Sequence, residues 1–147
     1  MNGKKYAIAV VGNFVSMMVL GWLLHGMLLA STYRSMEGSL MRAEADFMAH
    51  FHWLALGTLI FSLAFVWIYS KGVEEKSAAG QGARLGLAVW AVSSLPAAFI
   101  TFATQNLPSS VLAKSTCADL VMLVVSGMIA AVLYGTSAAA RSRTATA

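Results

Sequence analysis

The sequence predicts an all-α integral membrane protein, a four-helix transmembrane bundle with both termini on the cytoplasmic side (N-in/C-in). Of its 147 residues, 59% are hydrophobic and only 11% are charged, whereas soluble domains carry about a quarter charged residues. Four apolar stretches each reach the length of about 20 residues that crosses a bilayer as a helix. Lys and Arg collect on one side of these stretches, which fixes the predicted orientation.

The four helices are expected over about 6–30, 39–70, 85–104 and 118–138, within one transmembrane domain of residues 1–147. None of these stretches shows the strict alternation of polar and apolar residues of a barrel strand. A helix, in contrast, satisfies its own backbone hydrogen bonds in lipid. The second helix is expected to begin near Ser39, a suitable N-cap, and to project one to two turns above the membrane. The tail, 141–147, is small and polar, so we expect it to fray on the cytoplasmic side.

The orientation follows from the basic residues, of which seven fall on one side and three on the other. A multi-pass protein of the bacterial inner (cytoplasmic) membrane is therefore predicted, with the lipid bilayer as its first partner. The scattered basic residues form no run, so nucleic acid is not an expected partner. The predicted cytoplasmic residues are Lys4, Lys5, Lys71, Lys76, Arg84, Arg141 and Arg143, and the predicted periplasmic ones are Arg34, Arg42 and Lys114.

Small residues recur at four-residue spacing and predict where helices approach closely, because lipid gives little hydrophobic drive for helix association. The fourth helix carries Gly127, Ala131 and Gly135 on one face, and the entry to the third carries Gly82 and Gly86. We expect these faces to pack.

The third helix has an ordered polar stripe. Ser94, Thr101 and Gln105 are spaced seven and four residues apart, which places them on one helix face. Pro96 removes the hydrogen bond to the carbonyl of Val92. Two interpretations stay open: a kinked helix whose hydroxyls satisfy the loosened backbone, or a polar path that contacts a solute.

Titratable side chains concentrate at the predicted periplasmic end, which holds His25, His50 and His52, and His25, His52 and Asp119 fall at similar depth. Ionisable groups inside a membrane are candidates for function. His50 and His52 are separated by roughly 200° around a helix and cannot face one site. Asp46 lies one turn before His50 and is suited to orient its ring. A site would thus combine His25 with one of His50 or His52, and with Asp119.

Several chemistries fit this layer, and the cofactor is left unassigned. Cofactor binding would use His25, His50 and His52, as in haem or chlorin ligation, and a metal would use His25, His52 and Asp119. Nearby methionines favour copper, and a His–Asp pair is also suited to pass protons. In the alternative interpretation, the histidines bond to loop carbonyls, headgroups or water. The methionines are Met27, Met36, Met41 and Met48.

Motifs for catalysis are absent from the sequence. Cys117 has no His close to it, the serines lack a G-x-S-x-G elbow, and there is no Walker, Rossmann or zinc-protease pattern. We therefore expect a protein that is not an enzyme.

Several segments carry a resemblance: Leu28-Leu29 followed by Tyr33 and Arg42, then IYSKGVEE, GQGARLGLAVW and DLVMLVVSGMIAAVLYG. In these the chain resembles the small bacterial four-helix membrane proteins grouped as domains of unknown function. The resemblance implies a fold and an inner-membrane location, and it brings no catalytic residue.

The expected function is that of a non-catalytic accessory or scaffold subunit of a larger inner-membrane complex, with other membrane-protein subunits as partners. Small size, short connections and small-residue faces favour it. The first alternative is a periplasm-facing metal, haem or pigment binder that uses His25 with His50 or His52. The second is a small transporter or channel subunit with a polar path along Ser94, Thr101 and Gln105.

Overall fold

The computed structural model describes residues 3–39 and 41–135, and it is 84% helical, with no strand among the described residues. The predicted all-α class is confirmed, as are four helices long and apolar enough to cross a membrane. The helices are α1 (Gly3–Gly21), which continues as a π-helical segment (Trp22–Leu28), α2 (Ala30–Arg34), α3 (Glu44–Lys71), α4 (Ala78–Val92), α5 (Ser94–Thr104) and α6 (Ser109–Tyr134).

The four candidate membrane spans are 26 to 28 residues long. At 1.5 Å per residue each measures about 40 Å, which exceeds the hydrocarbon core of about 30 Å. Each is therefore long enough to reach the interface at both ends. We call the end near Leu28, Glu44, Thr104 and Ser109 the histidine end, and the other the opposite end. The spans are Gly3–Leu28, Glu44–Lys71, Ala78–Thr104 and Ser109–Tyr134.

The second span begins at Glu44 rather than at Ser39, because a turn interrupts the chain. Gly38 has a φ of +76°, which glycine adopts readily. The hydroxyl of Ser39 donates back to the carbonyl of Met36 and caps no helix. Instead Glu37 accepts a hydrogen bond of 3.2 Å from the backbone N–H of Glu44 and takes the capping role.

The third and fourth spans begin earlier than the sequence predicts. α4 starts at Ala78, after Ser77, whose hydroxyl accepts from the N–H of Gly80 at 3.5 Å. α6 starts at Ser109, directly after Pro108, which needs no N–H partner there. α6 ends at Tyr134, and the remaining expected helix, 136–138, and the tail 141–147 lie outside the described residues.

α6 is the central helix and packs against both α1 and α4, while α3 packs mainly on α1. Ala9, Val10, Phe65, Val66 and Ala130 form the buried apolar core, which draws on α1, α3 and α6. Leu85 of α4 packs against this core from the fourth helix. The bundle is thus closed toward the opposite end.

Toward the histidine end the bundle is open. No residue of 44–61 in α3 is buried, although this segment is strongly apolar. Burial on α3 starts at Ser62 and continues at Phe65, Val66 and Tyr69. The half of α3 nearer the histidine end is therefore left uncovered by the other helices.

The predicted small-residue faces meet each other between α4 and α6. A Cβ atom on Gly82 would overlap the carbonyl oxygen of Gly127, and one on Gly86 would overlap that of Leu123. Backbones this close make van der Waals contact along their length, which is the main attraction between helices in lipid.

Candidate functional site

The π-helical segment Trp22–Leu28 carries His25 at the end of the first span. The N–H of Leu29 bonds the carbonyl of Leu24 at 3.0 Å, five residues back rather than four. Such π-helical insertions are rare in proteins overall, and those that occur are often found at functional sites. This one precedes the short helix α2, which carries Tyr33 back over His25.

His25 lies between Tyr33 and Asp119, so three separate elements meet at one imidazole. Its Nδ1 lies 2.8 Å from the Tyr33 hydroxyl oxygen, and the two rings are stacked at 9° with centroids 6.1 Å apart. Its Nε2 lies 3.2 Å from Oδ1 of Asp119, with side-chain exposures of 27% and 29%. We call these residues the Tyr33–His25–Asp119 chain.

The two contacts of His25 differ in quality. The one to Tyr33 has hydrogen-bond geometry, whereas Nε2 is at ion-pair distance from Asp119 without hydrogen-bond alignment. When the Tyr33 hydroxyl donates to Nδ1, the neutral imidazole carries its proton on Nε2, facing the carboxylate. The Tyr33 hydroxyl then donates to Nδ1, and the Nε2–H on the other edge of the ring lies next to the carboxylate of Asp119.

Tyr33 lies outside the spans, and its titration reflects this environment. Burial, and secondly the negative charge of Asp119, raise the pKa of the Tyr33 hydroxyl above its ordinary value. The hydroxyl is therefore held in its neutral form, the form that can donate to His25.

An open groove with a volume of about 380 Å³ lies beside Asp119, between the third and fourth spans. We call it the hydroxyl groove. Its polar lining consists of five hydroxyl side chains and one carboxylate, and Ala97, Ala98 and Leu112 complete its wall. The polar residues are Ser93, Ser94, Thr101, Ser115, Thr116 and Asp119.

The groove forms where the third span breaks. Ser93 separates α4 from α5 with φ −118° and ψ −78°, three residues before Pro96. Just before the break, the indole N–H of Trp90 donates to the carbonyl of Thr116 at 2.8 Å and ties α4 to α6. α5 then packs only lightly and has no buried residue. Ser94 and Thr101 of the predicted polar stripe line the groove, and Gln105 does not.

The groove is rich in hydrogen-bond acceptors. The hydroxyl of Ser93 donates to the carbonyl of Val89 at 2.6 Å, and that of Ser115 donates to the carbonyl of Leu112 at 3.1 Å. Each of these hydroxyls has used its single proton, so its oxygen is left as an acceptor. Together with the carboxylate of Asp119, they can accept from a ligand that donates hydrogen bonds, while the hydroxyls of Ser94, Thr101 and Thr116 have no acceptor within the described residues.

The structure does not bring His50 or His52 to His25. Nδ1 of His50 lies 2.8 Å from the carbonyl of Asp46 and 3.2 Å from its carboxylate, the predicted one-turn contact. The ring of His52 is exposed and packs on Trp53, with centroids 5.1 Å apart. Both lie on the uncovered half of α3, so equal depth does not put them beside His25.

Of the predicted metal set, His25 and Asp119 are adjacent and His52 has a different neighbour. Among the described residues, no group of three or more His, Cys, Asp or Glu side chains is arranged to hold a metal ion. Cys117 is a free, exposed cysteine.

Sequence reasoning missed Tyr33 and the hydroxyls of Ser93, Ser115 and Thr116. Tyr33 is eight residues from His25, and only a π turn followed by a new helix closes that distance. It also missed Asn13, fully buried in α1, whose side-chain N–H donates to the carbonyl of Ser126 at 3.2 Å. A lone amide in an apolar span is a visible signal for such a contact.

Comparison with known proteins finds no matching family model, no matching curated sequence and no matching solved structure. The resemblance to small bacterial four-helix membrane proteins therefore stays a prediction.

Proposed function

We propose that the protein is a small subunit of a transport assembly in the bacterial inner membrane, and that a polar solute binds in the hydroxyl groove. The observation that carries this proposal is the position of Asp119, ten residues into the fourth span, beside a groove of hydroxyls. Ionisable side chains within spans typically line solute or proton pathways. Sites of this kind also form where a membrane helix is interrupted, as the third span is at Ser93.

The exposure of the groove is the reason to propose partner subunits. Only 6% of the apolar stretch of the third span is buried. The side chain of Asp119 is 29% exposed. Polar groups facing hydrocarbon are costly. A neighbouring subunit that covers the groove would remove this cost, which supports the accessory-subunit role expected from the sequence. The proposal includes no catalytic step.

In this proposal both termini are cytoplasmic and the histidine end faces the periplasm. Cysteine labelling tests the orientation in a Cys117→Ser background. A cysteine at Ser39, at the histidine end, should react with an impermeant maleimide in intact spheroplasts. One at Ser77, at the opposite end, should react only after permeabilisation, and the reverse pattern would overturn the orientation.

Purification from native membranes in mild detergent tests the assembly. The protein should elute with other membrane subunits in constant ratio. Elution as a lone monomer or homo-oligomer would contradict the assembly. An absorption spectrum of the same preparation tests the haem or pigment alternative, which predicts a visible band that His25→Ala removes.

Reconstitution into vesicles tests the transport role. Solute uptake by the purified assembly should be lost in Asp119→Asn and retained in Asp46→Asn. The second variant is the matched control, because Asp46 is also a carboxylate at the histidine end but pairs with Arg42 at 2.7 Å and lies outside the groove. Equal uptake by both variants would remove the groove from the path.

A further inference from the structure

We propose that the hydroxyl groove binds a small alkylammonium ion, with Asp119 as its counter-charge. The inference deepens the proposed function, since it rests on the groove being the solute site and names the class of solute. Three properties of the groove lead to it: its charge, its hydrogen-bonding character and its size.

The charge of the groove favours a cation. Among the described residues that line it, Asp119 is the only charged one, and no Lys or Arg takes part. Oδ1 of Asp119 lies against His25, and its other oxygen has no partner of its own within the described residues. A carboxylate inside a span is strongly disfavoured unless an opposite charge or donors compensate it. An anion is excluded, because the negative charge of Asp119 would repel it.

The hydrogen-bonding character of the groove accommodates an ammonium group, and the charge of Asp119 is what favours it over a neutral hydroxyl compound. An ammonium group has three donors and no acceptor. The groove offers acceptors for these donors in the carboxylate of Asp119 and in the hydroxyl oxygens of Ser93 and Ser115, whose protons are already given to backbone carbonyls. Hydrogen bonds from an ammonium to a carboxylate are roughly twice as strong as neutral ones.

The size and wall of the groove favour an organic cation over a bare metal ion. Its volume of about 380 Å³ lies at the lower end of small-molecule sites, which run from about 300 to 1,000 Å³. A bare monovalent ion would occupy a small part of that space. Ala97, Ala98 and Leu112 supply an apolar wall against which a short alkyl chain can pack.

Calorimetric titration of the whole purified protein in detergent, with butylammonium chloride at pH 8, tests the inference. We expect saturable binding, and no saturable binding of butanol, which has the same chain without the charge. Sodium chloride at equal ionic strength is the third titrant. Saturable sodium binding that Asp119→Asn removes, without butylammonium binding, would overturn the ammonium class and leave the groove as a cation site.

Variants locate the binding. Asp119→Asn should weaken butylammonium binding by about tenfold or more, because the charge-assisted bond is lost. Asp46→Asn should leave it unchanged. Ala97→Phe adds bulk to the wall of the groove and leaves the residue at position 119 unchanged. It should also abolish binding, while its elution volume and helical circular dichroism match wild type, because Ala97 is exposed.

Unchanged binding in both Asp119→Asn and Ala97→Phe would overturn the inference. Binding of none of the three titrants to the wild-type protein would also overturn the inference, while the uptake assay with Asp119→Asn and Asp46→Asn decides the solute site separately. Saturable butylammonium binding by a protein that purifies without partners would contradict only the assembly.

Discussion

The hydroxyl oxygen of Tyr33 lies 2.8 Å from Nδ1 of His25, and this contact links a residue outside the spans to a carboxylate inside them. Asp119 contacts the other ring nitrogen, so Tyr33 and Asp119 sit on opposite edges of one imidazole. Changes at the groove should therefore be detectable at Tyr33.

The first prediction concerns the titration of Tyr33. Burial, then the charge of Asp119, raise its pKa, so Asp119→Asn should lower the pKa part of the way back toward its ordinary value. Because the folded-state pKa lies above the unfolded one, the associated stability is fully present below about pH 10 and is lost as the pH rises through the folded-state pKa.

Tyrosinate absorbance during an alkaline titration measures this pKa, and subtraction of Tyr33→Phe isolates the signal. Asp46→Asn is the control and should leave it unchanged. A Tyr33 pKa that is equal in Asp119→Asn and wild type would show that the carboxylate has no influence on the hydroxyl.

The second prediction concerns the contact between α4 and α6. Gly86→Val should destabilise the fold by about 2 kcal/mol or more, because its Cβ would overlap the carbonyl of Leu123 and backbone cannot move aside. Gly57→Val is the matched control: a Cβ at Gly57, also within a span, meets no atom within 4 Å. Thermal unfolding in detergent should separate the two variants, and equal midpoints would contradict the tight contact.

Sequence patterns could predict the features that depend on local composition. Apolar length gives four spans, and the spacing of Gly82, Gly86 and Gly127 gives a packing face. The first residue of a helix is harder to predict from sequence. In α3, for example, Glu37 caps the helix from across a turn and Ser39 does not. A capping residue seven positions away has no fixed sequence signature.

The site was predictable only in part, because depth follows from sequence and direction does not. His25, His52 and Asp119 were placed at one level, yet only His25 and Asp119 are in contact. Lipid-facing and buried apolar residues have similar hydropathy, so the sequence does not reveal that α3 is left uncovered near His52. The π turn at His25 likewise depends on tertiary contacts.

The third prediction concerns Asn13, which is fully buried with its Nδ2 bonded to the carbonyl of Ser126. Asn13→Leu should destabilise the α1–α6 contact by about 1 kcal/mol, since hydrogen bonds between membrane helices average about 0.6 and reach about 1.7 kcal/mol. Ser16→Ala is the control, because the Ser16 hydroxyl bonds only within α1. Unfolding in mixed detergent measures both, and a stabilised Asn13→Leu variant would contradict the bond's contribution.

The last prediction concerns the connection between α3 and α4, which Gln81 holds in place. Its side chain accepts from the N–H of Glu74 at 2.8 Å and donates to the carbonyls of Glu74 and Lys76 at 3.1 and 2.9 Å. Gln81 is only 6% exposed. Three such bonds at roughly 0.5 to 1.5 kcal/mol each indicate that Gln81→Leu costs about 2 kcal/mol in loop stability.

Limited trypsin digestion in detergent measures the effect through the rate of cleavage after Lys76, which should rise about tenfold or more when the loop is released. Gln105→Leu is the matched control, because the exposed side chain of Gln105 makes no hydrogen bond within the described residues. Its cleavage rate should equal that of wild type. A Gln81→Leu loop as resistant as wild type would mean that the ion pair of Lys76 with Glu74, 2.7 Å long, and the N-cap at Ser77 hold the connection without the amide.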